Sequence, residues 1–157
     1  MFAPDDEWIA RFADAVYGTM RRGRCALNAC VEAACIAVGV AREFGYLCEP
    51  VPVAVRVYAG REMTVLPGPG PLARRRAGFG GHMVVHFPGA NVLVDLTADQ
   101  FHAPHRGLRV PAPLCLPVGR EQLAEGIAVG LPHGETTVTY QEMVDDVSWR
   151  ALPAWTE

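Results

Sequence analysis

The stretch Gly81-His82-Met83-Val84-Val85-His86-Phe87-Pro88-Gly89-Ala90-Asn91-Val92-Leu93-Val94-Asp95-Leu96 decides how this chain folds and what chemistry it can carry. Two apolar runs flank the turn-forming segment Pro88 to Asn91, which is the pattern of a β-hairpin. A four-residue turn sets Phe87 opposite Val92, hence Val84 opposite Asp95 and His82 opposite Thr97. Directly opposed side chains share a face, and the strand period is two. His82 and Asp95 are therefore expected on one face as diagonal neighbours. The carboxylate can then accept one imidazole N–H and fix the tautomer of the ring. An odd turn length would put the two on opposite faces. His86 shares the His82 face by parity, as a core histidine or a second polar group in a cleft.

Working outward, two helices are expected upstream, at about residues 5–20 and 28–44. In the first, Asp5, Asp6 and Glu7 follow Pro4 and sit on the turn where the helix dipole favours acids. Trp8, Phe12, Val16 and Met20, with Ile9 and Ala13, form its apolar stripe. In the second, Asn28 is a good N-cap and Gly45 a C-terminal stop, with Val31, Ala34, Cys35, Val38, Ala41 and Phe44 recurring between them. Gly39 inside that helix implies close packing, since glycine there costs roughly 1 kcal/mol against alanine. Val51 to Tyr58 alternates apolar and polar residues as a half-buried strand does. Leu66 to Gly81 is rich in Gly, Pro and Arg and reads as a mobile loop. Its Arg74-Arg75-Arg76 run is a solvated tip or an anchor for an anionic substrate. A short helix near 120–129 and a strand near 136–140 complete the reading. The expected class is α+β, with a sheet of about 51–58, 82–87, 92–97 and 136–140.

The chain has 157 residues, 50% hydrophobic and 20% charged, which suits a single domain over 1–157 with a core of its own. A net charge of −3 offers no general attraction to nucleic acid or anionic membranes. No apolar run approaches the roughly 18–20 residues of a membrane span. The acidic start lacks the layout of a signal peptide, so a cytoplasmic protein is expected. All 14 basic residues are Arg, and Ser148 is the sole serine. Lysine Schiff-base chemistry and a P-loop lysine are excluded, and cysteine becomes the leading nucleophile.

The five cysteines are Cys25, Cys30, Cys35, Cys48 and Cys115, an odd number that suits reduced thiols. Cys25, Cys30 and Cys35 are five apart, a step of about 140° on a helix, and no C-x-x-C pair exists, so no metal or other cofactor is expected. Cys30 lies just after Asn28, where free N–H groups and the positive helix end stabilise a thiolate and can receive an oxyanion. With His82 as base and Asp95 as its orienter, Cys30 completes a nucleophile set. Asn28 and Gln100 are candidate oxyanion or supporting donors. Cys25 is the rival nucleophile, and Asp99 the rival orienter. Cys35 falls in the apolar stripe; Cys48 and Cys115 read as filler. His102 and His105 could join His82 at a metal, although loop histidines at a surface are the plainer reading. Trp149 and Trp155 cover an apolar face or line an acyl pocket.

The run Cys30-Val31-Glu32-Ala33-Ala34, the helix end Glu43-Phe44-Gly45 and the strand Glu49-Pro50-Val51-Pro52-Val53 resemble bacterial transglutaminase-like proteins. The segments Gly81-His82 and Leu93-Val94-Asp95-Leu96-Thr97-Ala98-Asp99-Gln100 are similar to the His and Asp segments of that family. Its wider superfamily, with papain-like peptidases and arylamine N-acetyltransferases, uses Cys, His and Asp or Asn in this order. The resemblance spans residues 25 to about 105. It implies a papain-like α+β core and an acyl-enzyme intermediate on Cys30. The expected partner is a peptide, amide, ester or thioester substrate, with an acyl carrier or partner protein as a variant. The alternative is an inactive fold serving as a binding or assembly module.

Overall fold

A computed structural model describes residues 3–22, 29–64, 81–132 and 134–144, with 62–64 as backbone alone. Asn28, Cys25, Arg74, Arg75, Arg76, Trp149, Trp155 and nearly all of the Leu66–Gly81 loop lie outside the described residues.

The hairpin forms in the expected register. β3 (His82–Phe87) and β4 (Val92–Asp95) pair antiparallel with Phe87 opposite Val92, His86 opposite Leu93 and Val85 opposite Val94. Asn91, at φ 53°, supplies the left-handed residue that closes the four-residue turn. β4 stops at Asp95 rather than running to Thr97. The Thr97 N–H is donated to the Asp95 carboxylate at 3.1 Å instead of to a neighbouring strand, and the chain bends into a 3-10 turn over Ala98–Phe101.

Helix α1 (Asp6–Arg22) is capped by the Asp5 carboxylate, which accepts the Trp8 N–H at 2.7 Å. It buries Ile9, Phe12, Ala13, Val16 and Met20, the stripe expected from the sequence. Helix α2 (Cys30–Glu43) begins two residues later than expected, with Ala29 in the cap position. It ends in a left-handed Gly45 at φ 77°, whose N–H reaches Arg42 O at 2.9 Å while Tyr46 N–H reaches Ala41 O at 3.0 Å. The buried face of α2 is Cys30, Ala33, Ala34, Ala37 and Ala41, rotated from the expected stripe. Phe44 is 63% exposed, Cys35 is only half-buried, and a side chain at Gly39 would meet open space. Small side chains bring α2 close to β3, so the close approach is made by alanines rather than by Gly39.

β1 (Glu49–Ala59), β2 (Glu62–Thr64), β5 (Leu114–Pro117), β6 (Ile127–Gly130) and β7 (Thr136–Glu142) join the hairpin in one antiparallel sheet. Its order is β5-β4-β3-β1-β7-β6, with β2 pairing β1. The class is α+β. The expected helix over 120–129 is shorter: α3 (Arg120–Glu125) stops at Gly126, φ 96°, and Ile127 onward enters β6. β2, β5 and β6 were not legible as strands.

Two cores flank the sheet. Met83, Val85, Phe87, Val92 and Val94 pack against α1 and α2. Trp8 fastens α1 there, with ring centroids 5.0 Å from Phe12 and 6.2 Å from Phe87, contacts of about 0.5–1.5 kcal/mol each. The other core holds Val51, Val53, Val55 and Val57 with Val84, Leu93, Phe101, Val138 and Tyr140. All six residues of β3 are buried because both faces are covered. Among the described residues no helix is long and apolar enough to cross a membrane.

Candidate active site

The hairpin register delivers its predicted pair. His82 and Asp95, 3% and 0% exposed, meet with Nε2 at 2.9 Å from both carboxylate oxygens. A proton on Nε2 is thus donated to Asp95, which leaves Nδ1 for other work. Asp95 has two further donors, Thr97 N–H at 3.1 Å and the Tyr140 hydroxyl at 2.9 Å. A buried carboxylate held by three donors keeps its orientation. The Phe101 ring stands edge-on to the imidazole, 5.0 Å between centroids, and limits its rotation.

Cys30, 4% exposed, is the first residue of α2 and sits beside the His82 ring, close enough to raise its pKa. At that position its own N–H and the next ones lack helical acceptors, so the positive end of α2 faces the sulfur. Burial, the largest influence on His82, lowers its proton affinity. The charge and hydrogen bond of Asp95, then Cys30, outweigh it and push the pKa up from 6.5 to about 10.

This shift has a measurable consequence. A group bound more tightly to its proton when folded contributes stability in full below pH 6.5, and loses it as the pH rises through about 10. The stability difference between wild type and His82→Gln should therefore shrink by on the order of a few kcal/mol between pH 6.5 and 10, read from urea unfolding at each pH. A difference that stays flat would remove the charged pair from the account.

Gln100, in the 3-10 turn after β4, places its amide nitrogen 2.7 Å from His82 Nδ1 and 3.3 Å from Thr97 Oγ1. It also lines a cleft of about 310 Å³ together with Arg21, Asp99, His102 and Val110. Asp99, the rival orienter, is turned away from His82. It accepts the Tyr17 hydroxyl at 2.7 Å and lies 3.8 Å from Arg21. His102 accepts the Val110 N–H on Nδ1 at 3.1 Å, and His105 is exposed. Among the described residues no three His, Cys, Asp or Glu side chains are arranged to hold a metal ion. His86 is a core histidine: Nε2–H is donated to Val118 O at 2.8 Å, and burial lowers its pKa. Cys48 is buried, which pushes its thiol up to about 12, while Cys115 is exposed on β5.

Sequence reasoning missed Tyr140. Val138 and Tyr140 alternate with polar residues along β7, which marks Tyr140 as inward-facing, but nothing local says where its hydroxyl goes. β7 pairs with β1, and Tyr140 stands opposite Val55. Only the curl of the sheet lets it reach Asp95 on β4, past β3 and β1. The chain matches no family model, no curated protein and no solved structure.

Proposed function

We propose that the protein is a cysteine-nucleophile enzyme that acts on an amide, ester or thioester through an acyl-enzyme intermediate. The observation that carries this reading is the chain of contacts from Cys30 through His82 to a triply hydrogen-bonded Asp95. The Cys30 thiol gives its proton to His82 Nδ1, and the sulfur attacks the substrate carbonyl. The start of α2 offers N–H groups to the resulting oxyanion. His82 then returns the proton to the leaving group, and a second nucleophile, water or an amine, releases the acyl group. Water makes a peptidase or amidase; an amine makes a transglutaminase or N-acyltransferase. Every named residue serves both outcomes. A transglutaminase-like or papain-like core is the fold this reading implies.

A second reading draws on the burial of Cys30: the fold serves as a binding or assembly module and performs no chemistry. Intact-mass spectrometry against a panel of small esters, thioesters and peptide amides separates the two. The enzyme reading expects the acyl mass retained on the peptide that carries Cys30. No adduct from any donor, or adducts on Cys35 or Cys115 alone, selects the module.

A further inference from the structure

Both nitrogens of His82 are occupied. Nε2–H is donated to Asp95, and Gln100 donates an amide N–H to Nδ1 at 2.7 Å, its other N–H going to Thr97 Oγ1. A nitrogen that accepts an N–H presents a lone pair and carries no proton. The contact therefore works against a proton on Nδ1, opposing the upward pull of Asp95 and Cys30, and covers the atom that has to receive the Cys30 proton. The titratable groups packed around the ring are Asp95 on β4, Cys30 on α2 and Tyr140 on β7. Asp95 and Cys30 favour a proton on the ring; Tyr140 is a neutral donor to Asp95; Gln100 opposes the proton. Gln100 is also a wall of the 310 Å³ cleft, so its amide stands between that space and a buried pair, Cys30 and His82.

We propose that Gln100 is a ligand-operated cap on His82. At rest its N–H covers Nδ1 and holds the Cys30 proton back from it. A ligand carrying an acceptor oxygen, a carbonyl or carboxylate, enters the cleft from the Arg21 and His102 side and draws the amide N–H to itself. The S–H bond of Cys30 then breaks, the proton bonds to His82 Nδ1, and the electron pair stays on sulfur as thiolate. The charge of the pair is conserved and no further reactant is required. This proposal rests on the nucleophilic role of Cys30, and makes Gln100 a positioning residue that acts through His82.

The test is the pH–rate profile of Cys30 with methyl methanethiosulfonate, a small reagent without an amide, followed by peptide mass spectrometry. Gln100→Leu removes the cap at similar size, and Gln100→Glu supplies a carboxylate that accepts Nδ1–H and holds the imidazolium. Both should react about tenfold faster than wild type near pH 6.5, the worth of one hydrogen bond at a buried group. Gln100→Glu should in addition move the profile to lower pH. N-methylacetamide, used as the ligand probe, should speed wild type and leave Gln100→Leu unchanged. If Cys30 reacts ahead of Cys35 and Cys115 but both variants match wild type, the cap is wrong and the nucleophile stands. If Cys30 stays inert even in the uncapped variants, the cap and the enzyme reading fall together.

Discussion

The His82→Ala protein is expected to acylate Cys30 about 10²–10⁴-fold more slowly than wild type at pH 7, the usual contribution of a positioned general base. The size follows from what else is available to take the thiol proton. Asp95 is bound by three donors and faces Nε2, the far side of the ring. Tyr140 donates its own proton to Asp95, and burial holds that proton firmly. The start of α2 stabilises a thiolate but cannot accept a proton. Without the imidazole, only the small thiolate fraction of a neutral-pH thiol reacts. The gap should therefore narrow as the pH rises, because hydroxide then takes the proton that the imidazole no longer can. A His82→Gln protein, which keeps an N–H to offer Asp95, guards against mistaking local collapse for lost chemistry. Equal acylation rates in wild type and both variants would remove His82 from the mechanism.

The sequence carried the hairpin because two independent local signals agreed. Pro88 to Asn91 fixed the turn length, and the period of two then fixed which side chains meet. His82 and Asp95 followed from parity alone. The first helix was equally plain, since large side chains wrote its buried stripe. The second was harder. In an alanine-rich segment hydrophobicity hardly varies around the helix, and Phe44 drew the stripe toward the exposed side. The true core face is the one with the smallest residues, a fact about the distance to β3 rather than about polarity. Tyr140 lay beyond reach for a different reason. Its contact with Asp95 spans 45 residues and depends on the sheet curling, which no single strand encodes. Asp95 and Asp99 could be separated only once Thr97 and Tyr17 had each claimed one of them.

Asp95→Ala is expected to destabilise the protein by about 3–5 kcal/mol, the range for removing one partner of a buried ion pair. The carboxylate is fully buried and serves three donors, so its loss strands His82 Nε2–H, Thr97 N–H and the Tyr140 hydroxyl together. Comparison with two milder changes tells whether the charge or the packing matters. Asp95→Asn keeps the shape and one acceptor oxygen, but places an N–H where an acceptor stood, so it should fall between wild type and alanine. Tyr140→Phe removes a single hydrogen bond to a charged group, worth about 1.5–3 kcal/mol, and should be the mildest of the three. Acylation of Cys30 need not follow the same order. Asparagine can accept on its oxygen yet has no charge to support an imidazolium, so its rate should fall far more than its stability does. Tyr140→Phe leaves the charge in place, and its rate should stay within a few-fold of wild type. Stability and acylation falling in strict proportion across the three variants would mean that Asp95 only holds the fold. A wide gap between them at asparagine would place its charge in the chemistry.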